Sequence, residues 1–333
     1  MTAAIEEIPA GAPVDLDGLV RGARPVVIRG LVADWPIVAA ARASDWTFAE
    51  QLAGFDNGTP VDALMMPPEA EGVVGYNADL SGFNYRHHRV PLTKGLKQLL
   101  LYARQERPNG LAIQSAALAA CAPGFLERHA LPLLPPSVQP RLWVGNRVTT
   151  PAHFDEFHNV ACVVCGVRRF TLFPPEQVRN LYIGPLDFAP TGAAISVARL
   201  DRPDDPRFPR LREALAHAQA AELEPGDAIY IPPLWWHHVA SLKRLNALVN
   251  YWWKPVAAPG TAPMTLLGCL LHAILGFRSL PPAERAAWRA LLDHYVFGEE
   301  DPAAHIPEAR RGVLGPLTPE QVEALRAKIQ RYL

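Results

Sequence analysis

Five short apolar runs dominate the middle of the chain: Arg141–Val144, Val160–Val164, Arg169–Phe173, Asp227–Ile231 and Leu248–Trp253. They are rich in β-branched and aromatic side chains and are separated by Gly, Pro and Asp, a pattern that predicts short buried strands. Several strands of this length between about 110 and 253 predict a sandwich or barrel. Near the N-terminus, Pro25-Val26-Val27-Ile28-Arg29-Gly30 predicts a further short strand ended by glycine. Helical spacing flanks the β-rich region. Residues 44–53 predict a helix capped by Ser44, and residues 91–105 place Leu96, Leu99, Leu100 and Ala103 on one face, with Gly95 weakening the first turn.

Beyond a linker at 254–263 the pattern turns helical, over 264–277, 282–296 and 318–333. The last helix has Thr318 as N-cap, Pro319 at its first position, Gln321 three residues after the cap, and a stripe of Val322, Leu325, Ile329 and Leu333. The pattern thus predicts a mostly β domain with helical additions over 1–255, its core at about 110–253, and a helical region over 256–333.

Composition narrows the class of protein. With 333 residues, 49% of them hydrophobic, the chain can bury a large core. A formal net charge of −1 offers no electrostatic case for nucleic-acid binding. The N-terminal MTAAIEEIPAG lacks the basic and apolar regions of a secretory signal, and the apolar stretch at 264–277 is too short to span a bilayer. Four cysteines do not suggest a disulfide framework, so the expectation is a soluble, cytoplasmic protein. The 34 prolines are spread along the chain, which indicates many turns and no disordered tract.

The stretch TTPAHFDEFHN at 149–159 concentrates the candidate chemistry. In an extended segment residues i and i+2 share a face, so His153 and Asp155 can aim at one ion. A third ligand is available at His237, after the Pro225-Gly226-Asp227 turn and the Trp235-Trp236 pair. Two imidazoles and a carboxylate on β-structure match the facial triad of non-haem iron(II) oxygenases. Taken alone, each reads more readily as an ordinary loop polar residue or a packed histidine than as a ligand. Cys162-x-x-Cys165 is not a redox pair, because it falls in a strand whose alternation sends the two thiols to opposite faces.

The blocks TPAHFDE at 150–156, Asn159, Gly166-Val167-Arg168-Arg169 with FTLFPPEQ at 170–177, PGD at 225–227, YIP at 230–232, WWHH at 235–238 and NYWWK at 250–254 resemble the JmjC-type 2-oxoglutarate oxygenases. The nearest group is the cupin-like branch that includes the asparaginyl hydroxylase of hypoxia-inducible factor. PVVIRGLVADWP at 25–36 and YNADLSGFNY at 76–85 extend the resemblance over most of residues 25–254. It implies a double-stranded β-helix (jelly-roll) core.

The resemblance also implies roles. His153, Asp155 and His237 would hold Fe(II), with His238 as the alternative to His237. Arg168 would grip the distal carboxylate of 2-oxoglutarate, where the hypoxia-linked enzyme has Lys, and Arg169 would be a structural or surface charge. Thr150, Asn159 and Asn250 would support the cosubstrate, and Trp252 would wall its pocket. The family's upstream Tyr is replaced by Ala112, leaving Gln114 or Ser115 to compensate. Glu156 would be a rim charge and His158 an ordinary loop histidine.

The implied activity is Fe(II)- and 2-oxoglutarate-dependent hydroxylation of a protein or peptide side chain or of a small molecule, with N-demethylation open to the same step. Succinate and CO2 would be released, and the helical tail would form a homodimer. Two other readings are a metal-dependent cupin isomerase or hydrolase that does not use 2-oxoglutarate, and a non-catalytic binding protein on the same fold.

Overall fold

The computed structural model describes residues 2–254 and 266–331, and the chain divides into two compact units, Met1–Trp253 and Lys254–Leu333. Along the first unit run strands β1 (Ala3–Ala4), β2 (Glu6–Ile8), β3 (Val26–Ile28), β4 (Val61–Met66), β5 (Arg86–Val90), β6 (Gly110–Ala117) and β7 (Pro140–Gly145). They are followed by β8 (Thr149–His153), β9 (His158–Cys165), β10 (Arg168–Phe173), β11 (Gln219–Leu223), β12 (Ala228–Ile231), β13 (Trp236–Ser241) and β14 (Asn246–Trp253). One sheet has nine strands in the order β2-β3-β12-β9-β14-β7-β6-β4-β5, and the other has five, β1-β11-β10-β13-β8. The fold is a jelly-roll core with helical additions.

Two apolar layers result from strand alternation. On one side of the large sheet, Val160, Cys162, Val164, Val249 and Tyr251 pack under four helices: α1 (Leu16–Gly22), α2 (Pro36–Ala43), α3 (Asp45–Ala53) and α4 (Leu92–Tyr102). On the other side, Ala161, Val163, Ile229 and Leu248 meet Phe170, Leu172, Leu223 and Val239 of the small sheet. Each buried Val, Leu, Ile or Phe side chain contributes about 1.5–3 kcal/mol, so the inter-sheet layer holds the two sheets together.

Ser44 caps α3, accepting from the Thr47 amide as its position suggests. Gly95 in α4 has a packing reason, since a Cβ there would lie 2.8 Å from Cδ1 of Ile113 on β6. Strands β4 and β5 are among those that escape the sequence pattern. β5, Arg-His-His-Arg-Val, is an exposed edge strand with no apolar face to signal it, and β4 pairs with it.

Cys162 and Cys165 do not face opposite ways as simple alternation predicts. A register shift where β9 pairs with β14 brings both thiols into the helix-covered layer. Burial raises both thiol pKa values, Cys165 to about 12, which keeps them inert.

In the second unit, helices span Leu266–Phe277, Pro282–Leu292 and Pro319–Gln330, and the turn Asp293–Phe297 after the second is a π-helix. Thr318 and Gln321 form a reciprocal capping box. The linker from 255 onward and Leu333 lie outside the described residues. Among the described residues no helix is long and apolar enough to cross a membrane.

Candidate metal centre

His153 ends β8 and stands opposite His237 on β13, where the two strands pair. Their rings lie 4.1 Å apart between centroids. Asp155 follows two residues after the end of β8. It owes its place to a backbone bond and not to the pleat: the Leu234 amide donates to the Asp155 carbonyl at 2.9 Å. One ligand atom each from His153, Asp155 and His237 lies within 4.8 Å of the others.

Each imidazole is oriented by its own strand. Nδ1 of His153 lies 2.9 Å from the Pro151 carbonyl, and Nδ1 of His237 lies 3.1 Å from the Trp235 carbonyl. A carbonyl can only accept, so Nδ1 carries the proton and Nε2 keeps its lone pair for a metal. Nε2 of His237 sits 3.5 Å from Oδ2 of Asp155. Burial, and secondly His153, hold His237 well below its ordinary pKa, which keeps the imidazole neutral as ligation requires.

Oδ2 of Asp155 also accepts from the Trp252 indole at 3.0 Å. Trp252 stands edge-on to Trp143, whose own indole donates to Asn250 at 2.8 Å. Asn250 in turn donates to Asn159 at 3.2 Å. The carboxylate is therefore fixed by an indole, and behind the indole runs a polar chain across β7, β14 and β9.

Arg168 lies further down the same inner face. Arg168, Phe170 and Leu172 of β10 stand opposite Ser241, Val239 and His237 of β13, so the arginine and the triad histidine share one side of the small sheet. They are separated by four residues, about 13 Å along the strand. Arg168 is 8% exposed, and its Nε is buried with no hydrogen-bond partner. One Nη approaches the Trp143 carbonyl at 3.5 Å, the limit of a hydrogen bond, and among the described residues no carboxylate pairs with the guanidinium. Burial lowers its pKa to about 10, which still leaves it charged at neutral pH. A buried, uncompensated cation is costly unless an anion joins it.

Gly166 allows this arrangement. It adopts φ +72°, and a Cβ there would come within 2.4 Å of both the Asn246 side chain and the Leu245 carbonyl. The turn it makes starts β10 so that Arg168 enters the interior.

A family model described as a cupin-like domain matches residues 14–258. The chain belongs to the JmjC/cupin-like family. Among its curated relatives, Jumonji C domain-containing protein 5 of Drosophila melanogaster is 34% identical over 121 residues, 36% of this chain and 29% of that protein. Lysine-specific demethylase JMJ31 of Arabidopsis thaliana is 31% identical over 133 residues, 40% of this chain and 23% of that protein. Human HSPB1-associated protein 1 is 34% identical over 113 residues, 33% of this chain and 22% of that protein. The matched segments thus cover less than a third of each of these relatives.

Within this cupin-like domain, several residues sit otherwise than sequence alone suggests. Thr150 is three residues from His153, so strict alternation would send it to the opposite face. A bulge between their pairings, Thr150 with Val239 and His153 with His237, returns it to the inner face. Trp252, expected as a pocket wall, is bonded directly to Asp155. Gln114 is half-buried at a bulge in β6 and makes no side-chain hydrogen bond among the described residues. Ser115, at φ 47°, is engaged by Arg141 through its carbonyl and hydroxyl, at 3.0 and 3.3 Å. Ala112 packs in a small apolar cluster with Leu64, Met66, Val74 and Val148.

His158 is the first residue of β9, not a loop histidine. It is buried on the helix-covered side, with Nδ1 2.8 Å from the Tyr230 hydroxyl. His238 follows His237 on β13 and is turned by the pleat to the reverse face of the small sheet. Sequence reasoning missed Trp143 as a site residue, and it missed the carbonyls of Pro151 and Trp235. Backbone groups leave no trace in residue identity, and Trp143 read simply as a strand apolar.

Proposed function

We propose that this protein is an Fe(II)- and 2-oxoglutarate-dependent oxygenase that hydroxylates a protein or peptide side chain or a small molecule. The observation that carries this reading is the buried Arg168, a cation without a counter-ion among the described residues, on the same inner face as His153 and His237. A metal hydrolase or isomerase needs the triad but has no use for such a cation.

The donor set suits the metal. Two neutral imidazoles with Nε2 available and one carboxylate form the two-histidine, one-carboxylate set of non-haem Fe(II) sites. His153, Asp155 and His237 would hold the iron, Trp252 keeping Asp155 in position. Arg168 would bind the distal carboxylate of 2-oxoglutarate through charge-assisted hydrogen bonds, satisfying its orphaned Nε. Thr150, Asn159 and Asn250 face the same interior and would line the cosubstrate, with Gln114 at its far edge. When bound, iron and 2-oxoglutarate supply the oxidising chemistry, in which O2 is consumed, succinate and CO2 are released, and one oxygen atom enters the substrate. The apolar wall of Phe170, Leu172 and Val239 would exclude bulk water and so strengthen the Arg168–carboxylate contact.

We further infer a homodimer through the second unit, whose Leu275, Trp288, Leu291 and Phe297 are exposed apolar side chains on consecutive elements. A cytoplasmic location fits the four free cysteines.

The test of the activity is turnover. Purified protein with Fe(II), ascorbate, O2 and 2-oxoglutarate should form succinate, slowly without prime substrate and faster with a cell lysate as substrate source. No succinate above a His237→Ala control in either condition would overturn the reading.

A further inference from the structure

The small sheet has a second face. On it the pleat presents Thr149 of β8, Arg169 and Thr171 of β10, and His238 and Ala240 of β13, the immediate neighbours of the inward-facing residues. These side chains floor a groove of about 1090 Å³, walled by segments 67–84 and 195–208. That is at the upper end of the volumes of small-molecule sites. None of His153, Asp155, His237 or Arg168 lines it.

The polar groups of the groove divide into two sets. On the walls most of the charges are spent on each other: Arg199 pairs with Glu71 and with Asp201, Arg202 with Glu71, and Arg207 with Asp205. On the floor they are not. Nδ1 of His238 is buried with no hydrogen-bond partner, a position that ordinarily costs stability. Thr171 stands directly opposite His238 across the strand pair. Arg169 forms no ion pair among the described residues, although Glu222 is its cross-strand neighbour and Glu69 stands on the wall. Around these groups the lining is apolar, with Val73, Ile195, Val197, Leu200, Leu215 and Leu242.

A cation with no ion pair among the described residues, on the floor of a groove with an apolar surround, fits an amphipathic anion. We propose that the groove is a second binding site, distinct from the metal centre, for a small molecule with an apolar body and a single carboxylate. The carboxylate sits on Arg169 and the body lies against the apolar walls. This inference stands independently of the oxygenase reading.

The experiment uses three probes that share one body: 3-phenylpropanoate, 3-phenylpropan-1-ol and 3-phenylpropylammonium, titrated calorimetrically into the full chain. The carboxylate should bind, the alcohol about tenfold more weakly, and the ammonium least of all, as a charge-assisted contact requires. Arg169→Glu, at an exposed position that leaves the fold intact, should remove carboxylate binding. Ala240→Phe, which fills the floor, should do the same for carboxylate and alcohol alike. Arg168→Met, one residue away on the other face, should change nothing. Carboxylate binding that survives Arg169→Glu, or that is lost in Arg168→Met, would place the probe elsewhere and overturn the proposal. Equal binding of alcohol and carboxylate, or no binding of any probe, would overturn it as well.

Discussion

The two faces of the five-stranded sheet are built from adjacent residues of the same strands, yet they are chemically unlike. Arg168 and Arg169 are consecutive, as are His237 and His238, and the pleat sends each pair in opposite directions. The inner arginine is 8% exposed between two sheets, while the outer one is exposed over an open groove. The inner histidine has its Nδ1 tied to a carbonyl and its Nε2 near a carboxylate, while the outer one has a buried nitrogen with no partner. Residue type does not decide the role here. Which side of the strand a residue leaves by decides it, together with what the opposite sheet supplies.

Swapping effects across the pleat is therefore the way to break the comparison. The largest effect should come from the histidines. His237→Ala should lower succinate formation by more than about a hundredfold, since even outer hydrogen-bond partners of a ligand control 10–100-fold. His238→Ala should leave the rate within about threefold, and an equal loss in both variants would mean that the pleat assignment is wrong.

The arginines come next. Arg168→Ala should raise the KM for 2-oxoglutarate by about a hundredfold, the range expected when a buried charge pair loses one partner. Arg169→Ala should not move it. Trp252→Phe keeps the ring but removes the bond to Asp155, and should weaken Fe(II) binding about tenfold in a chelator competition.

The smallest effect concerns Asn159 and His158, neighbours on opposite faces of β9. His158→Phe should leave turnover unchanged and alter only the pH dependence of stability. Burial lowers the pKa of His158 in the folded state, so below about pH 6.5 the unfolded chain takes up the proton first. Its contribution is whole above that pH and is lost as pH falls toward the folded value. Urea melts between pH 7.5 and 5 should show a shallower decline for His158→Phe than for the unaltered chain.

Much of the core was legible because its strands are buried on both faces and so read as continuous apolar runs. The exposed strand β5 carried no such signal. The triad was legible as residue types, and the family blocks ordered it, but alternation alone would have misplaced Thr150, whose bulge is not written in side-chain chemistry. The same limit applied to Cys162 and Cys165. Bulges arise from how two strands register, which no local stretch reveals. Trp252 and Trp143 were visible as aromatics, but not as the hydrogen-bond donors that fix Asp155 and Asn250. The reverse-face groove was invisible, because it is assembled from segments more than a hundred residues apart.

The most direct test of the central claim is an anaerobic optical titration of Fe(II) and 2-oxoglutarate into the protein. The account predicts a weak visible charge-transfer band in the unaltered chain and in Arg169→Ala, with the same 2-oxoglutarate dependence. It predicts no band in His237→Ala, and a band reached only at far higher 2-oxoglutarate in Arg168→Ala. A missing band in the unaltered chain, or one that Arg168→Ala leaves unshifted, would contradict it.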